Sequence, residues 1–263
     1  MILAIDAVLT CKLKAATDLI LQLEAAATPE QQLLDAALEL SPASHFARVP
    51  ADEDIGERLL MRHAGGTLSV AYRALVTSSR RLAPLGALGA VPPHTLAGPA
   101  VRYLFESRYC PAERFRPFVE TEFAGLSGGR LADALRQWVA DRIAYRPGVS
   151  DTATSAIDTF LERQGVCRDF AHLLITLARA AGIPARFASV YAPGVDPPDF
   201  HAVAELFLAG PESGEWHLVD ATGMAAPGEM AVIGVGRDAA DVAFLTSFGA
   251  VEVTEKRVAV TRA

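Results

Sequence analysis

The segment 165–184, GVCRDFAHLLITLARAAGIP, carries both ends of a helix in its own letters. Phe170, Leu174, Leu177 and Ala181 recur at three- and four-residue steps, the spacing of one helix face. Gly182 supplies a C-terminal cap and Pro184 a stop. Three strand-like runs follow, at 186–191, 201–208 and 215–221. A helix succeeded by antiparallel strands predicts an α+β fold.

The remainder of the chain divides in two. Residues 130–145 place Leu131, Leu135, Trp138, Val139 and Ile143 near helical spacing, and 154–163 reads as a second, shorter helix. Helix starts are also expected near Pro99 and Pro111. The first hundred residues read mainly as strands, with short apolar runs at 4–10 and 18–23. Leu59-Leu60-Met61 and Leu68-Ser69-Val70-Ala71-Tyr72 flank Gly65-Gly66, which predicts a hairpin. The alanine-rich run 25–40 is compatible with a helix as well. Proline and glycine concentrate at 84–99, a linker composition. The expected division is a β-rich N-terminal domain over 1–98 and a core over 99–263.

Charge and cysteine content restrict the function classes. A net charge of −7 excludes a general nucleic-acid binder, because phosphate binding requires a basic face. No run of about 18 uncharged apolar residues is present, so no membrane span is expected. The opening MILAIDAVLTCKLKAATDLI has Asp6 inside its apolar run and lacks a basic start, unlike a secretory signal. Cys11, Cys110 and Cys167 form neither a disulfide framework nor a CxxC metal pair. A reducing cytoplasm is the expected setting, with at least one thiol free for chemistry.

Cys167 falls at the first turn of the helix, where orphan N–H groups and the helix dipole favour a thiolate. The same N–H groups suit the oxyanion formed when a thiolate attacks a carbonyl. The bland alternative is a small buried apolar residue at a helix start. The two strands that follow sharpen the case. In 201–208, residues 201, 203, 205 and 207 share a face; in 215–220, residues 216, 218 and 220 share one. Gly210-Pro211-Glu212-Ser213-Gly214 is a turn sequence joining them. A turn centred between Gly210 and Pro211 sets His201 opposite Asp220, with Cβ atoms about 5 Å apart. A slip of one residue would send Asp220 to the other face. Cys167, His201 and Asp220 then make a nucleophile, a base and a carboxylate that orients the base.

Other polar residues carry less weight. His172 lies about 140° around the helix from Cys167 and reads as a packed histidine. By strand parity His217 points away from Asp220. Asp169 suits the helix dipole in a structural role, and Glu205 shares the His201 face. Cys11 and Cys110 have no local acid–base partner. Gly234-Val235-Gly236 lacks the continuation of a phosphate loop.

Three motifs, Gly165-Val166-Cys167-Arg168-Asp169-Phe170-Ala171-His172-Leu173, Asp199-Phe200-His201-Ala202 and His217-Leu218-Val219-Asp220-Ala221-Thr222, resemble the Cys, His and Asp motifs of the bacterial transglutaminase-like superfamily. The resemblance runs over 132–222. Ser107-Arg108-Tyr109-Cys110-Pro111 and Tyr145-Arg146-Pro147-Gly148 are similar to the same proteins. It implies a papain-like core of helices packed on an antiparallel sheet, with a β-rich domain in front. It also implies Cys167 as nucleophile, His201 as base and Asp220 as its orienter, acting on a protein or peptide substrate without cofactor or metal. The animal members are much larger and bind Ca²⁺, and no DxDxDG loop is present here, so calcium activation is not expected.

The expected activity is hydrolysis of an amide bond through a thioester. A transamidase shares the acylation half-reaction and differs in the group that attacks the thioester. Acetyl transfer by a related triad is disfavoured, since those enzymes place the cysteine much earlier in the chain. A catalytically silent binding or assembly module is the non-enzyme alternative. The sequence leaves the second oxyanion donor open, with Gln164 nearby, and says nothing of oligomeric state.

Overall fold

The computed structural model describes residues 1–210 and 214–263. Pro211, Glu212 and Ser213, on which the expected turn is centred, lie outside the described residues.

Strand β1 (Ile2–Leu13) turns Leu3, Ile5, Ala7, Leu9, Cys11 and Leu13 inward, the period of two that a half-covered strand requires. After it come β2 (Thr17–Leu21), β3 (Gln31–Leu40), β4 (His45–Pro50), β5 (Glu57–His63) and β6 (Gly66–Ser78). The alanine-rich run is therefore a strand at 31–40, held in register by β6 from Gln31↔Ser78 to Leu40↔Val70. Sheet pairing has overridden its helical propensity.

Gly65 and Gly66 do not close a hairpin. Strand β5 pairs with β2 and β4, whereas β6 pairs with β1 and β3. Both glycines have positive φ, 111° and 85°, and they carry the chain around a corner from one sheet to the other. Leu59 and Met61 then meet Leu68, Val70 and Tyr72 within one apolar cluster.

The middle of the chain holds α1 (Gly98–Val101), α2 (Arg116–Glu122), α3 (Gly128–Arg142), β7 (Ala144–Tyr145), α4 (Ala156–Glu162), β8 (Gln164–Gly165) and α5 (Cys167–Ala180). Helix α5 is buried all round from Asp169 to Arg179, not on one face alone. Its buried guanidinium, Arg179, is satisfied by the carbonyls of Ala185 at 2.9 Å, Phe105 at 3.1 Å and Arg237 at 2.6 Å. Strands β9 (Ala185–Tyr191), β10 (His201–Ala209), β11 (Gly214–Val219) and β12 (Ala231–Gly236) form an antiparallel sheet in the order β11-β10-β9-β12. Helix α5 packs on β10 and β9, which is the helix-on-sheet arrangement of an α+β fold. Gly234-Val235-Gly236 lies within β12, wholly buried, as a sheet strand and not a phosphate loop.

The last two strands, β13 (Leu245–Ser247) and β14 (Val251–Arg262), return to the front of the chain. They complete sheets ordered β14-β1-β6-β3 and β13-β2-β5-β4. A boundary at 98/99 thus separates strands that share a sheet. Strand β1 gains hydrogen-bond partners on both edges only when the C-terminal segment lies beside it. Among the described residues no helix is long and apolar enough to cross a membrane.

Two buried polar groups fasten these sheets to the core. The Tyr191 hydroxyl donates to the Leu23 carbonyl at 2.6 Å. The Gln31 amide donates to the carbonyls of Ala26 (2.7 Å) and Val232 (2.8 Å) and accepts the Val232 N–H (2.7 Å). Gln31→Leu leaves those backbone groups buried with fewer partners, at a cost of about 3 kcal/mol. The expected result is a lower urea midpoint for the variant; an unchanged midpoint would remove Gln31 from this role.

Candidate active site

The approach to Cys167 is fixed by a two-residue parallel ladder, Ala144↔Gln164 and Tyr145↔Gly165. The Ala144 N–H donates to the Arg163 carbonyl at 2.8 Å, and the Arg146 N–H to that of Gly165 at 2.9 Å. Asp169 closes the first turn of α5 by accepting the Val166 N–H at 2.8 Å. That loop-back brings its side chain against Gly165, where an added Cβ would sit 2.6 Å from the Asp169 Cβ. Only glycine fits there, and Asp169 serves the backbone, as its position predicts. Cys167 is thereby presented half-buried at the helix N-terminus.

His201 opens β10, buried, beside Val190 of β9. Its Nε2 lies 2.9 Å from Asp220 Oδ2. The partnership survives a difference in register. Strands β10 and β11 pair Ala204 with Val219 and Ala209 with Gly214, two residues away from the register that sets His201 directly opposite Asp220. An even displacement keeps both side chains on one face, so Asp220, just past the end of β11, reaches His201 diagonally.

Asp220 is surrounded by donors. Its Oδ1 accepts the Thr222 N–H at 2.8 Å, its Oδ2 accepts the Ala225 N–H at 2.9 Å, and the Thr222 hydroxyl lies within 2.9 Å of both oxygens. Burial alone would push this carboxyl up, but the His201 ring and these donors outweigh it and hold it below its usual range. For His201, burial opposes the charged form. The hydrogen bond to Asp220 and the nearness of the Cys167 sulfur more than offset that, and its pKa rises to about 9. With Nε2 engaged, Nδ1 is the ring nitrogen left for Cys167; it is buried and has no hydrogen-bond partner of ordinary geometry.

The remaining residues weighed from sequence fall elsewhere. His172 is fully buried between Tyr109 (4.9 Å between ring centres) and Phe187 (5.2 Å), and its Nε2 accepts the Ala239 N–H at 3.1 Å. Burial, with Arg168 and Arg179 nearby, keeps it neutral. Glu205 is committed to Arg186 Nε at 2.6 Å, and Arg186 also reaches Glu53 at 2.6 Å and lies over Trp216. His217 sits across from Leu206, and burial lowers its pKa. Cys110 is buried, its sulfur 3.6 Å from the His172 carbonyl, and its pKa is pushed up to about 11 by burial. Cys11 is raised for the same reason.

Sequence reasoning gave Thr222 no role. Thr222 has a legible signal, since an Asp often accepts the N–H two residues on. A cavity of about 560 Å³ is lined by Arg80, Arg136, His217, Asp220, Ala225 and Pro227 among others, and it reaches neither Cys167 nor His201.

A family model described as the transglutaminase-like superfamily matches residues 123–221, the segment that contains Cys167, His201 and Asp220. The crystal structure of a candidate cysteine protease from Cytophaga hutchinsonii is 32% identical, with a TM-score of 0.90 over 99% of this chain and 90% of that one. An uncharacterized protein of Mycobacterium leprae is 33% identical over 118 residues, covering 42% of this chain and 41% of its own length. One of Mycobacterium tuberculosis is 35% identical over 128 residues, covering 43% and 40%. The match thus spans about two fifths of those curated relatives. A family match over the segment that holds the Cys–His–Asp grouping, joined to a relative that is similar along nearly the whole fold, places this chain in the transglutaminase-like superfamily.

Proposed function

We propose that this protein is a thiol hydrolase of amide bonds, with Cys167 as nucleophile, His201 as acid and base, and Asp220 as the group that orients His201. The observation that carries the reading is the buried 2.9 Å contact between His201 Nε2 and Asp220 Oδ2, which leaves Nδ1 for the sulfur. A protein or peptide amide is the substrate class. A cytoplasmic setting suits three thiols that are all unpaired, two of them buried.

The steps follow from the positions. The Cys167 sulfur attacks the carbonyl carbon, and the carbonyl oxygen takes the negative charge. Because the pKa of His201 lies near 9, the imidazolium persists at neutral pH and holds the proton the leaving nitrogen needs. Transfer from Nδ1 to that nitrogen breaks the C–N bond, expels an amine or ammonia and leaves a thioester on Cys167. Neutral His201 next takes a proton from water as its oxygen adds to the thioester. Collapse of this second adduct releases a carboxylic acid and returns the sulfur. Asp220 remains ionised throughout and fixes the tautomer.

Incubation of the protein with casein and a fluorescent primary amine tests the chemistry. Hydrolysis predicts new chain ends or released ammonia without incorporation of the amine, and a loss of roughly a thousandfold in Cys167→Ala. Incorporation of the amine would favour a transamidase, and inertness of the wild-type protein would favour a binding module.

The electrostatic part is tested by NMR titration of labelled His201, with an expected midpoint near pH 9. Asp220→Asn removes the dominant raising partner and lowers that midpoint by at least about one unit. The folded pKa exceeds the ordinary 6.5, so the interaction contributes stability fully below that pH and loses it as pH rises through about 9. A wild-type midpoint at or below 6.5 would contradict the arrangement.

A further inference from the structure

We infer that the cavity along the outer edge of β11 binds a small organic acid, a single carboxylate on an apolar body, with Arg81 as its cationic partner. This is a ligand site apart from the thiol chemistry, since the cavity reaches neither Cys167 nor His201.

Four consecutive residues, His217 to Asp220, line the space, and β11 is the end strand of its sheet. No described strand pairs with its outer edge, so the cavity runs along that edge. Opposite stands the segment 80–85, which leaves β6 and crosses to α3. Its far end is fastened where the Gly129 N–H donates to the Leu88 carbonyl at 2.9 Å. Leu82 of that segment lies against the loop that follows Asp220: a Cβ added to Gly228 would sit 2.9 Å from Leu82 Cδ1. The volume of about 560 Å³ is that of a small-molecule site. Leu82, Pro84, Leu85, Leu218, Val219 and Pro227 make most of the lining apolar.

Charge selects the occupant. The Arg80 side chain, only 8% exposed, donates from Nη1 to the carbonyls of Pro227 at 3.2 Å and Met230 at 3.4 Å, and its Nε lies 3.4 Å from Glu30. Arg136 is answered by Asp133 at 3.0 Å, and Asp220 by His201. Arg81 lines the cavity without an anionic partner among the described residues, and it is exposed, which sets it where the cavity meets solvent. His217 adds no charge. Burial holds it below its ordinary pKa, and its Nε2 is buried with no hydrogen-bond partner among the described residues. The balance is one positive charge beside an apolar space, which matches a monoanion with a hydrocarbon or aromatic body. An inorganic anion would leave the apolar walls uncovered, and a second anionic group would meet the Asp220 carboxylate.

Calorimetric titration of the full chain with 4-phenylbutyrate tests the site, with 4-phenyl-1-butanol and inorganic phosphate as controls. The acid is expected to bind with a Kd on the order of 0.1 mM, the alcohol about tenfold more weakly, and phosphate is expected not to compete. Arg81→Gln should weaken the acid about tenfold and leave the alcohol unchanged. Ala83→Trp, at an exposed position on the wall, should fill the space and abolish binding of both. Equal affinity for acid and alcohol would overturn the proposal, as would effective competition by phosphate or no binding of the acid at all. So would Arg81→Gln or Ala83→Trp binding the acid as the wild type does. Cys167→Ala is expected to retain the acid at full affinity; loss of binding there would move the acid to the thiol and sink this site. Because the readout is binding, absence of amide hydrolysis would end the thiol-enzyme reading and leave this inference standing.

Discussion

The contact between His201 and Asp220 is buried, and burial makes it expensive unless every lone pair and proton is answered. Moving a carboxylate out of water costs several kcal/mol even after the protein relaxes. Here the carboxylate recovers that cost through four donor groups: the His201 ring, the Thr222 hydroxyl and the N–H groups of Thr222 and Ala225. Two of them are backbone, so their positions follow from the course of the chain after β11 and not from side-chain choice. The stretch 220–225 is therefore a shaped anion site with Asp220 as its permanent occupant. A charge so well held can in turn hold a second one on His201, which alone would be neutral in that setting.

The sulfur is located by a different kind of constraint. Helix α5 is surrounded, with the sheet on one side and α3, α4 and the segment at 112–115 around the rest, so it has no freedom to slide. Its first turn is locked by Asp169 folding back on Val166, which in turn demands glycine at 165. Strand β9 ends in Tyr191, whose hydroxyl reaches Leu23 in the β-rich region, and β12 is tied to Gln31. The floor beneath His201 is thus braced by residues distant in sequence. The return of β13 and β14 makes that brace continuous with the chain terminus.

What could be read from sequence, and what could not, divides along the range of the interactions. Helix α5 and strands β9 to β11 declare themselves because their periods, 3.6 and 2, are properties of short segments. The contact between His201 and Asp220 tolerates the difference in register because strand parity depends only on whether a slip is odd or even, and this one was even. Gly65-Gly66 misled because alternation on either side looks the same whether the two strands pair together or face each other from opposite sheets. The return of the last strands to the first sheets is hidden for a related reason. Nothing in 251–262 names β1 as its neighbour, and only the free edge of β1 selects it. The parallel pairing of 144–145 with 164–165 was invisible because two residues are too short to carry a pattern.

The three cysteines share a residue type and differ in placement. Cys11 faces the interior of the sandwich among leucines, and Cys110 lies buried against a carbonyl oxygen. In both, burial disfavours the thiolate, so the sulfur behaves as a small apolar atom. Cys167 differs in three respects: it is partly open to solvent, it begins a helix, and it has an imidazole within reach whose other nitrogen is held by an ionised carboxylate. The thiol chemistry proposed above calls for these three features together: an open face, a helix start, and an imidazole whose charge burial alone would disfavour. Each of these features comes from a separate stretch of chain, and neither Cys11 nor Cys110 combines them.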